Sequence, residues 1–143
     1  MKKPGKAERE KLVAAAVAAQ PHARCAFSRF PVGAAVLGAS GRIYPGCNIE
    51  SPTLILHSCA ERVAIFNAIA HGEKSIVAVA TVARTALPCG FCRQAILEFL
   101  VPDAPVYSLL ADPRTGKRRL IVTSALKLVP HAYTAKQMKA RLT

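Results

Sequence analysis

Apolar residues recur at helical spacing in four segments of the chain. The first segment combines Ala, Leu, Val, Glu and Lys without an internal Gly or Pro, and it stops at Pro21, which cannot continue a helix. The second segment ends near Gly72, and the third opens at Pro88-Cys89-Gly90. The pattern predicts helices over residues 7–20, about 58–71, 94–100 and 134–141.

Five further segments favour β-strands. Two of them are joined by Ser40-Gly41, which is typical of a hairpin turn, and Gly46 in the second predicts a bulge or a close approach of two backbones. The almost wholly apolar run over residues 76–82 predicts a strand buried on both faces. The predicted strands cover residues 32–39, 42–49, 76–82, 106–110 and 118–122. Their alternation with helices predicts a three-layer α/β/α sandwich around a mixed five-stranded sheet.

Length and composition limit the class of protein. At 143 residues, of which 52% are hydrophobic, the chain is expected to form one domain over residues 1–143. It has no run of about 20 apolar residues that would cross a bilayer, and its Lys-rich start is not followed by the apolar core of a signal peptide. These features predict a cytoplasmic protein that is not bound to a membrane.

Basic residues outnumber acidic ones, with 20 Lys and Arg against 8 Asp and Glu and a net charge of +12. Such a charge attracts anionic partners at low salt. The basic residues are scattered, however, and aromatic side chains do not alternate with them as they do in stacking platforms for bases. The pattern favours a solvated basic surface over a nucleic-acid site, and it leaves open what the charge recognises.

The cysteines carry the most specific chemical signal. Cys89 and Cys92 form a C-x-x-C pair near the start of one predicted helix, and Cys59 lies at the start of another. A helix N-terminus favours the thiolate form that binds metals. Three cysteine ligands would leave one position of a tetrahedral Zn²⁺ open for water, as catalytic zinc requires, and zinc lowers the pKa of such a water towards about 7.

Glu61 lies two residues after Cys59, where it can reach water at the metal without being a ligand. It would take the proton of the water and return it to a ring nitrogen and then to a leaving amine. Cys-Ala-Glu combined with Pro-Cys-x-x-Cys matches the template of zinc-dependent deaminases. Two other interpretations of the C-x-x-C pair stay open: a redox pair, or a structural zinc site completed by His57 or Cys47.

These segments, together with three others, resemble the small, homotetrameric cytidine deaminase family. The matching segments are Phe30-Pro31-Val32-Gly33-Ala34-Ala35, Gly46-Cys47-Asn48-Ile49-Glu50, Cys59-Ala60-Glu61-Arg62 and Pro88-Cys89-Gly90-Phe91-Cys92-Arg93-Gln94. A shorter match follows at Leu128-Val129-Pro130-His131-Ala132-Tyr133. The resemblance implies hydrolysis of cytidine or deoxycytidine to the uridine nucleoside and ammonia, with zinc-bound hydroxide attacking C4. It also implies a homotetramer with shared active sites.

The resemblance further implies roles for individual residues. The substrate-binding residues would be Phe30, Asn48, Glu50, Ala60 and Tyr133. Asn48 and Glu50 are expected to hydrogen-bond the ribose and Phe30 to stack on the base. Arg62 is expected to hydrogen-bond the zinc-bound thiolates, which would tune the metal. Without the zinc segments nearby, Asn48 and Glu50 are equally typical of a strand-end turn, Phe30 of a core and Arg62 of a helix surface.

The sequence departs from the family directly after Glu50. Ser51-Pro52-Thr53-Leu54 replaces asparagine-alanine followed by a small residue and an aromatic, in a segment expected to border the pocket. Tyr133 replaces a phenylalanine, as in the blasticidin S deaminases. The alternative substrates are therefore another aminopyrimidine or a nucleoside antibiotic. Deamination within RNA or DNA, prompted by the charge, and a non-catalytic zinc module rank lower.

Overall fold

A mixed sheet of five strands forms the centre of the fold, as the sequence predicts. The structure is a computed structural model that describes residues 3–85 and 87–133. The strands are β1 (Gly33–Gly38), β2 (Ile43–Cys47), β3 (Ile76–Ala83), β4 (Pro105–Ala111) and β5 (Arg118–Ser124), in the order β2-β1-β3-β4-β5. Only β3 and β4 are parallel among these neighbouring pairs, and the other three pairs are antiparallel.

Helices cover both faces of this sheet. They are α1 (Lys6–Ala19), α2 (Ala60–Ala70), α3 (Gly90–Phe99) and the short α4 (Ala125–Leu128). On one face, Leu12 of α1 packs in a buried cluster with Leu37 of β1, and on the other face Ile65 and Ile96 pack with Val36. Adjacent residues of a strand point to opposite faces, so Val36 and Leu37 serve different layers. The three-layer α/β/α sandwich predicted from the sequence is confirmed.

Several element boundaries differ from the prediction. Helix α3 begins at Gly90, four residues before the predicted start at 94, so the C-x-x-C pair lies in its first turn. Strand β2 ends at Cys47 instead of residue 49, because Ile49 pairs with Arg24 and Ser58 and not with β1. Helix α4 was not predicted, and the predicted helix over residues 134–141 lies outside the described residues. None of the helices in the described ranges is long and apolar enough to cross a membrane.

Gly46 brings β2 into direct contact with the backbone of α2. The pairing of β1 with β2 is regular at this position, so the predicted alternative of a bulge is wrong and that of a close approach is right. A Cβ atom built on Gly46 would lie 2.4 Å from the backbone N of Ala64 and 2.6 Å from the carbonyl O of Ala60. The absence of a side chain therefore sets the depth at which the N-terminal part of α2 rests on the sheet.

Candidate metal centre and substrate-binding residues

Three cysteine sulfurs meet where the N-termini of α2 and α3 converge. Cys59 and Cys89 are the N-cap residues of the two helices, and buried Cys92 lies in the first turn of α3. Neither N-cap side chain makes a capping hydrogen bond, so both sulfurs are free to face the third. The three Sγ atoms all lie within 4.8 Å of one another. Two helix N-termini thus direct their partial positive charge at one group of thiols.

The spacing and chemistry of these sulfurs fit zinc. In a tetrahedral site with Zn–S bonds of about 2.3 Å, two sulfurs are about 3.8 Å apart. The Sγ atoms of Cys59 and Cys89 are separated by 3.8 Å. Within residues 3–85 and 87–133, His57 and Cys47 do not join the cluster, and no fourth ligand atom lies close to all three sulfurs. The donor set is therefore that of a zinc site with one position left for water, rather than a closed structural site.

The surroundings of the three sulfurs favour a thiolate at Cys59. The pKa of Cys59 is lowered to about 5, mainly because the thiol of Cys92 hydrogen-bonds its sulfur, with further contributions from Cys89 and Arg62. The pKa of Cys92 is raised above its ordinary value, because this thiol is the donor to Cys59 and is also buried. The lowered pKa favours the thiolate form of Cys59, which is the form that binds a cation.

Glu61 lies beside the sulfur cluster but outside the set of ligands. It is the second residue of α2, only 4% of its surface is exposed, and its Oε2 atom lies 3.4 Å from Sγ of Cys92. Burial raises the pKa of this carboxyl, and the negative charge of Cys59 raises it further. A buried carboxyl at this position can exchange protons with a molecule bound at the metal.

Arg62 links the metal cluster to the segment that precedes α2. Its Nη2 atom donates to the carbonyl O of His57 over 3.0 Å, and its charge is one of the causes that lower the pKa of Cys59. Its Nε atom is buried and has no hydrogen-bond partner in the described part of the chain. Such an unpaired donor close to a thiolate has the chemistry expected of a group that supports a metal ligand.

Asn48 and Glu50 are both buried, and both hold the loop before β1. Oδ1 of Asn48 accepts from the backbone N of Val32 over 2.9 Å, and Nδ2 donates to the carbonyl O of Phe30 over 3.0 Å. Oε2 of Glu50 accepts from the backbone N atoms of Phe27 and Ser28 over 2.8 and 3.1 Å. Hydrogen bonds from Ser28 are the main reason that the pKa of Glu50 is lowered.

This loop-holding role was missed by the sequence analysis. Residues 27–32 show no periodic pattern, and the only signal was that Asn48 and Glu50 are two polar residues on one side of an extended segment. The same segment lies next to the metal centre, because Ile49 and Ser58 exchange two backbone hydrogen bonds of 2.9 and 3.0 Å. Asn48 and Glu50 therefore connect the cysteine cluster with the loop that carries Phe30.

The other predicted substrate-binding residues differ in exposure. Phe30 is half-buried, and the guanidinium of Arg84 lies 5.7 Å from the centre of its ring. Ala60 is fully buried in the core as the first residue of α2, so its backbone N–H is the group left to meet a ligand. Tyr133 is exposed, and its carbonyl O accepts from Nε2 of Gln94 over 3.4 Å.

Arg93 was quoted within the zinc segment but was given no role from the sequence. Its Nε atom donates to the carbonyl O of Pro88 over 2.8 Å, and its Nη1 atom donates to the carbonyl O of Leu128 over 3.5 Å. The side chain thus connects the loop entering the C-x-x-C pair with the segment that leads to Tyr133. Only the three-dimensional contact with Leu128, 35 positions away, reveals this role.

Comparison with known proteins, like the geometry of the three cysteines, indicates a zinc-binding protein. Residues 6–108 match the family described as the cytidine and deoxycytidylate deaminase zinc-binding region. A cytidine deaminase of Sporosarcina psychrophila is 41% identical over 90% of this chain and 93% of its own length. A cytidine deaminase of Halalkalibacterium halodurans is 38% identical over 92% of this chain and 98% of its own length.

Solved structures show the same relationship. The crystal structure of cytidine deaminase from Burkholderia pseudomallei matches with a TM-score of 0.76 and 37% identity, over 87% of this chain and 98% of that one. The three-layer fold and the three-cysteine centre are those of a zinc-dependent deaminase. The chain belongs to the cytidine and deoxycytidylate deaminase family, so the predicted family and the zinc cofactor are confirmed.

Proposed function

We propose that this protein hydrolyses the C4 amine of cytidine and deoxycytidine, giving uridine or deoxyuridine and ammonia. The observation that carries the proposal is the buried carboxyl of Glu61, which contacts Cys92 beside three sulfurs that have no fourth protein ligand among the described residues. When bound by Cys59, Cys89 and Cys92, zinc supplies the Lewis acidity that activates water near neutral pH. The similarity to cytidine deaminases over most of the chain supports this choice of substrate.

Glu61 performs the proton transfers in this proposal. Its carboxylate accepts a proton from the attacking water and gives it to N3 of the ring as the C4–O bond forms. It then transfers the second proton of the water to the departing amine, which leaves as ammonia when the C4–N bond breaks. Burial helps in both steps, because it keeps bulk water from competing for the proton.

The substrate is held by the segment next to the metal and by the loop that this segment fixes. Asn48 and Glu50 bind the ribose hydroxyls with the hydrogen-bonding capacity that remains after their backbone contacts, and Phe30 stacks on the base. The backbone of Ala60 and the ring of Tyr133 complete the proposed pocket. Arg62 offsets the negative charge of the three thiolates.

A substrate panel tests the proposal. Ammonia release by the zinc-loaded protein is measured with cytidine, deoxycytidine, cytosine, blasticidin S and a single-stranded oligodeoxycytidylate. The proposal expects efficient release from the two nucleosides and at least about 10² lower kcat/KM for cytosine, which lacks the sugar that Asn48 and Glu50 bind. Release from the oligonucleotide but not from free nucleosides would contradict it.

A second candidate substrate is another aminopyrimidine or a nucleoside antibiotic. It is favoured by the Ser51-Pro52-Thr53-Leu54 segment, which follows Glu50 directly and differs from the family pattern. Leu54 is exposed, so this segment does not fill a core and is free to shape a pocket. Turnover of blasticidin S without turnover of cytidine, in the same panel, would establish this candidate in place of the first.

We also infer a homotetramer with shared active sites. Three apolar side chains close to the metal ligands along the sequence are strongly exposed in the isolated chain: Leu54 at 80%, Ile55 at 90% and Phe91 at 80%. Such exposed apolar surface is typical of subunit contacts. Light scattering should give four times the 15.2 kDa of one chain, and Ile55→Glu should reduce both this mass and the activity. A fully active monomer would refute the inference.

We also propose that this protein forms a single domain and acts in the cytoplasm. Its proposed role is pyrimidine salvage. Three free thiols at the metal centre require a compartment that keeps cysteines reduced. Salvage is supported by the substrates proposed above, since deamination converts a cytosine nucleoside into a uracil nucleoside. Fractionation of the source cells, with activity followed in each fraction, tests the location.

A further inference from the structure

A cavity of about 620 Å³ lies beside the loop that carries Phe30. Its walls come from three parts of the chain: the loop before β1, the end of β3 and the turn between β4 and β5. None of Cys59, Cys89, Cys92 and Glu61 lines it. Of the proposed substrate-binding residues, Phe30 alone is in the lining, so the proposed reaction gives the other walls of this cavity no role.

The cavity is lined by four cationic side chains: Arg29, Arg84, Lys117 and Arg118. Within the described ranges, none of the four lies within 4 Å of a carboxylate oxygen. The one acidic residue in the lining, Asp112, directs Oδ1 at Arg114, whose backbone N and Nε atoms are 3.0 and 3.4 Å away. The lining thus combines four cationic side chains with one carboxylate that is engaged by Arg114, and the mutual repulsion of the four cations falls when an anion binds.

Local contacts fix the segments that carry these cations. The backbone N of Arg29 donates to the carbonyl O of Cys25 over 2.8 Å, and Arg84 rests on the ring of Phe30. In the β4–β5 turn, the backbone N of Asp112 donates to the carbonyl O of Lys117 over 3.0 Å. The backbone positions that carry these cations are therefore fixed before any ligand arrives, which lowers the entropic cost of binding.

We propose that this cavity binds an oligophosphate group, meaning two or three linked phosphates of a small molecule. Four cations spread over three segments match several anionic oxygens better than a single carboxylate, and guanidinium groups bind phosphate oxygens in pairs. Three prolines, Pro21, Pro31 and Pro113, add an apolar wall for the body of such a molecule.

Calorimetric titration of the full-length, zinc-loaded protein with sodium triphosphate at 50 mM salt tests this proposal. Arg118→Gln removes a cation from the cavity, and Arg119→Gln is the matched control, because this adjacent arginine does not line the cavity. We expect one site per chain, with Kd about tenfold weaker in Arg118→Gln and changed less than about twofold in Arg119→Gln. The proposal does not depend on turnover, so it stands or falls separately from the proposed function.

Three results would overturn the proposal. Equal effects of the two substitutions would mean diffuse surface charge or removal of zinc by triphosphate, and zinc measured after the titration tells these apart. Absence of binding to the wild type would also refute it. A single-stranded oligonucleotide with the same dependence on Arg118, binding more tightly than triphosphate, would assign the cavity to nucleic acid instead.

Discussion

Replacing Gly46 by Ala would place a methyl group inside the contact between β2 and α2. The new Cβ would lie 2.4 Å from the backbone N of Ala64, 2.6 Å from the carbonyl O of Ala60 and 2.9 Å from the Cα of Ala64. Ordinary van der Waals contact begins at 3.4 Å, so α2 would have to move by about 1 Å. These atoms belong to the helix backbone, which cannot avoid the clash by changing a rotamer.

The displaced helix carries Cys59 at its N-cap and Glu61 in its first turn, so both stability and catalysis should suffer. Overpacking of this kind costs about 1–3 kcal/mol, which lowers Tm by roughly 3–12 °C for a domain of this size. A misplacement of about 1 Å between metal ligands and proton donor can lower kcat/KM by about 10². We therefore expect a moderate loss of stability together with a large loss of activity.

Thermal unfolding by circular dichroism and cytidine turnover, both on zinc-loaded protein, measure the two effects. Gly90→Ala is a matched control for stability, since a Cβ at Gly90 meets nothing within 4 Å and Ala favours the helix that starts there. Its Tm should equal or exceed that of the wild type. A Gly46→Ala protein with wild-type Tm and kcat/KM within twofold would refute the close packing of β2 on α2.

Three further substitutions test other parts of the site. Arg62→Gln should weaken zinc binding about 10–100-fold in competition with a chelator, because the thiolates lose a nearby positive charge. Arg62→Lys keeps a positive charge and should recover part of the lost zinc affinity. Glu50→Gln should lower Tm most above about pH 5 and least near pH 3. The folded state depresses the pKa of Glu50, so the stability it adds is present above the unfolded pKa of about 4.3 and is lost as pH falls through the folded value. Equal loss of Tm at both pH values would contradict this. Arg93→Gln should keep zinc but reduce kcat/KM about tenfold, because the Pro88 loop and the Leu128 segment lose their common donor; unchanged kinetics would show that this contact is dispensable.

The metal centre was predictable because its signals are local. Cys59, Cys89 and Cys92 stand at helix starts, and residue type and spacing along the chain are enough to indicate zinc. The alternating pattern of apolar segments likewise predicted the order of the five strands and of α1, α2 and α3 along the chain. Among the described residues the short α4 was missed, and boundaries moved, as at α3, where Gly90 and Phe91 belong to the first helical turn and not to a preceding loop.

Features that depend on distant partners were not predictable. Strand β2 ends early because Ile49 pairs with Ser58 and Arg24, and nothing in residues 42–49 indicates those partners. The contacts of Glu50 with Phe27 and Ser28 also join segments that lie more than 20 positions apart. The cationic cavity depends on three separate segments, so the charge of the chain as a whole gave no indication of it.

The most direct test of the central claim is to measure zinc per chain and cytidine turnover for the wild type and for Glu61→Gln. Glu61 is not among the three metal ligands, so both proteins should hold about one zinc per chain. Loss of the group that transfers protons should lower kcat by at least about 10². Equal turnover by the two zinc-loaded proteins would contradict the mechanism, and loss of zinc from Glu61→Gln would contradict the assignment of ligands.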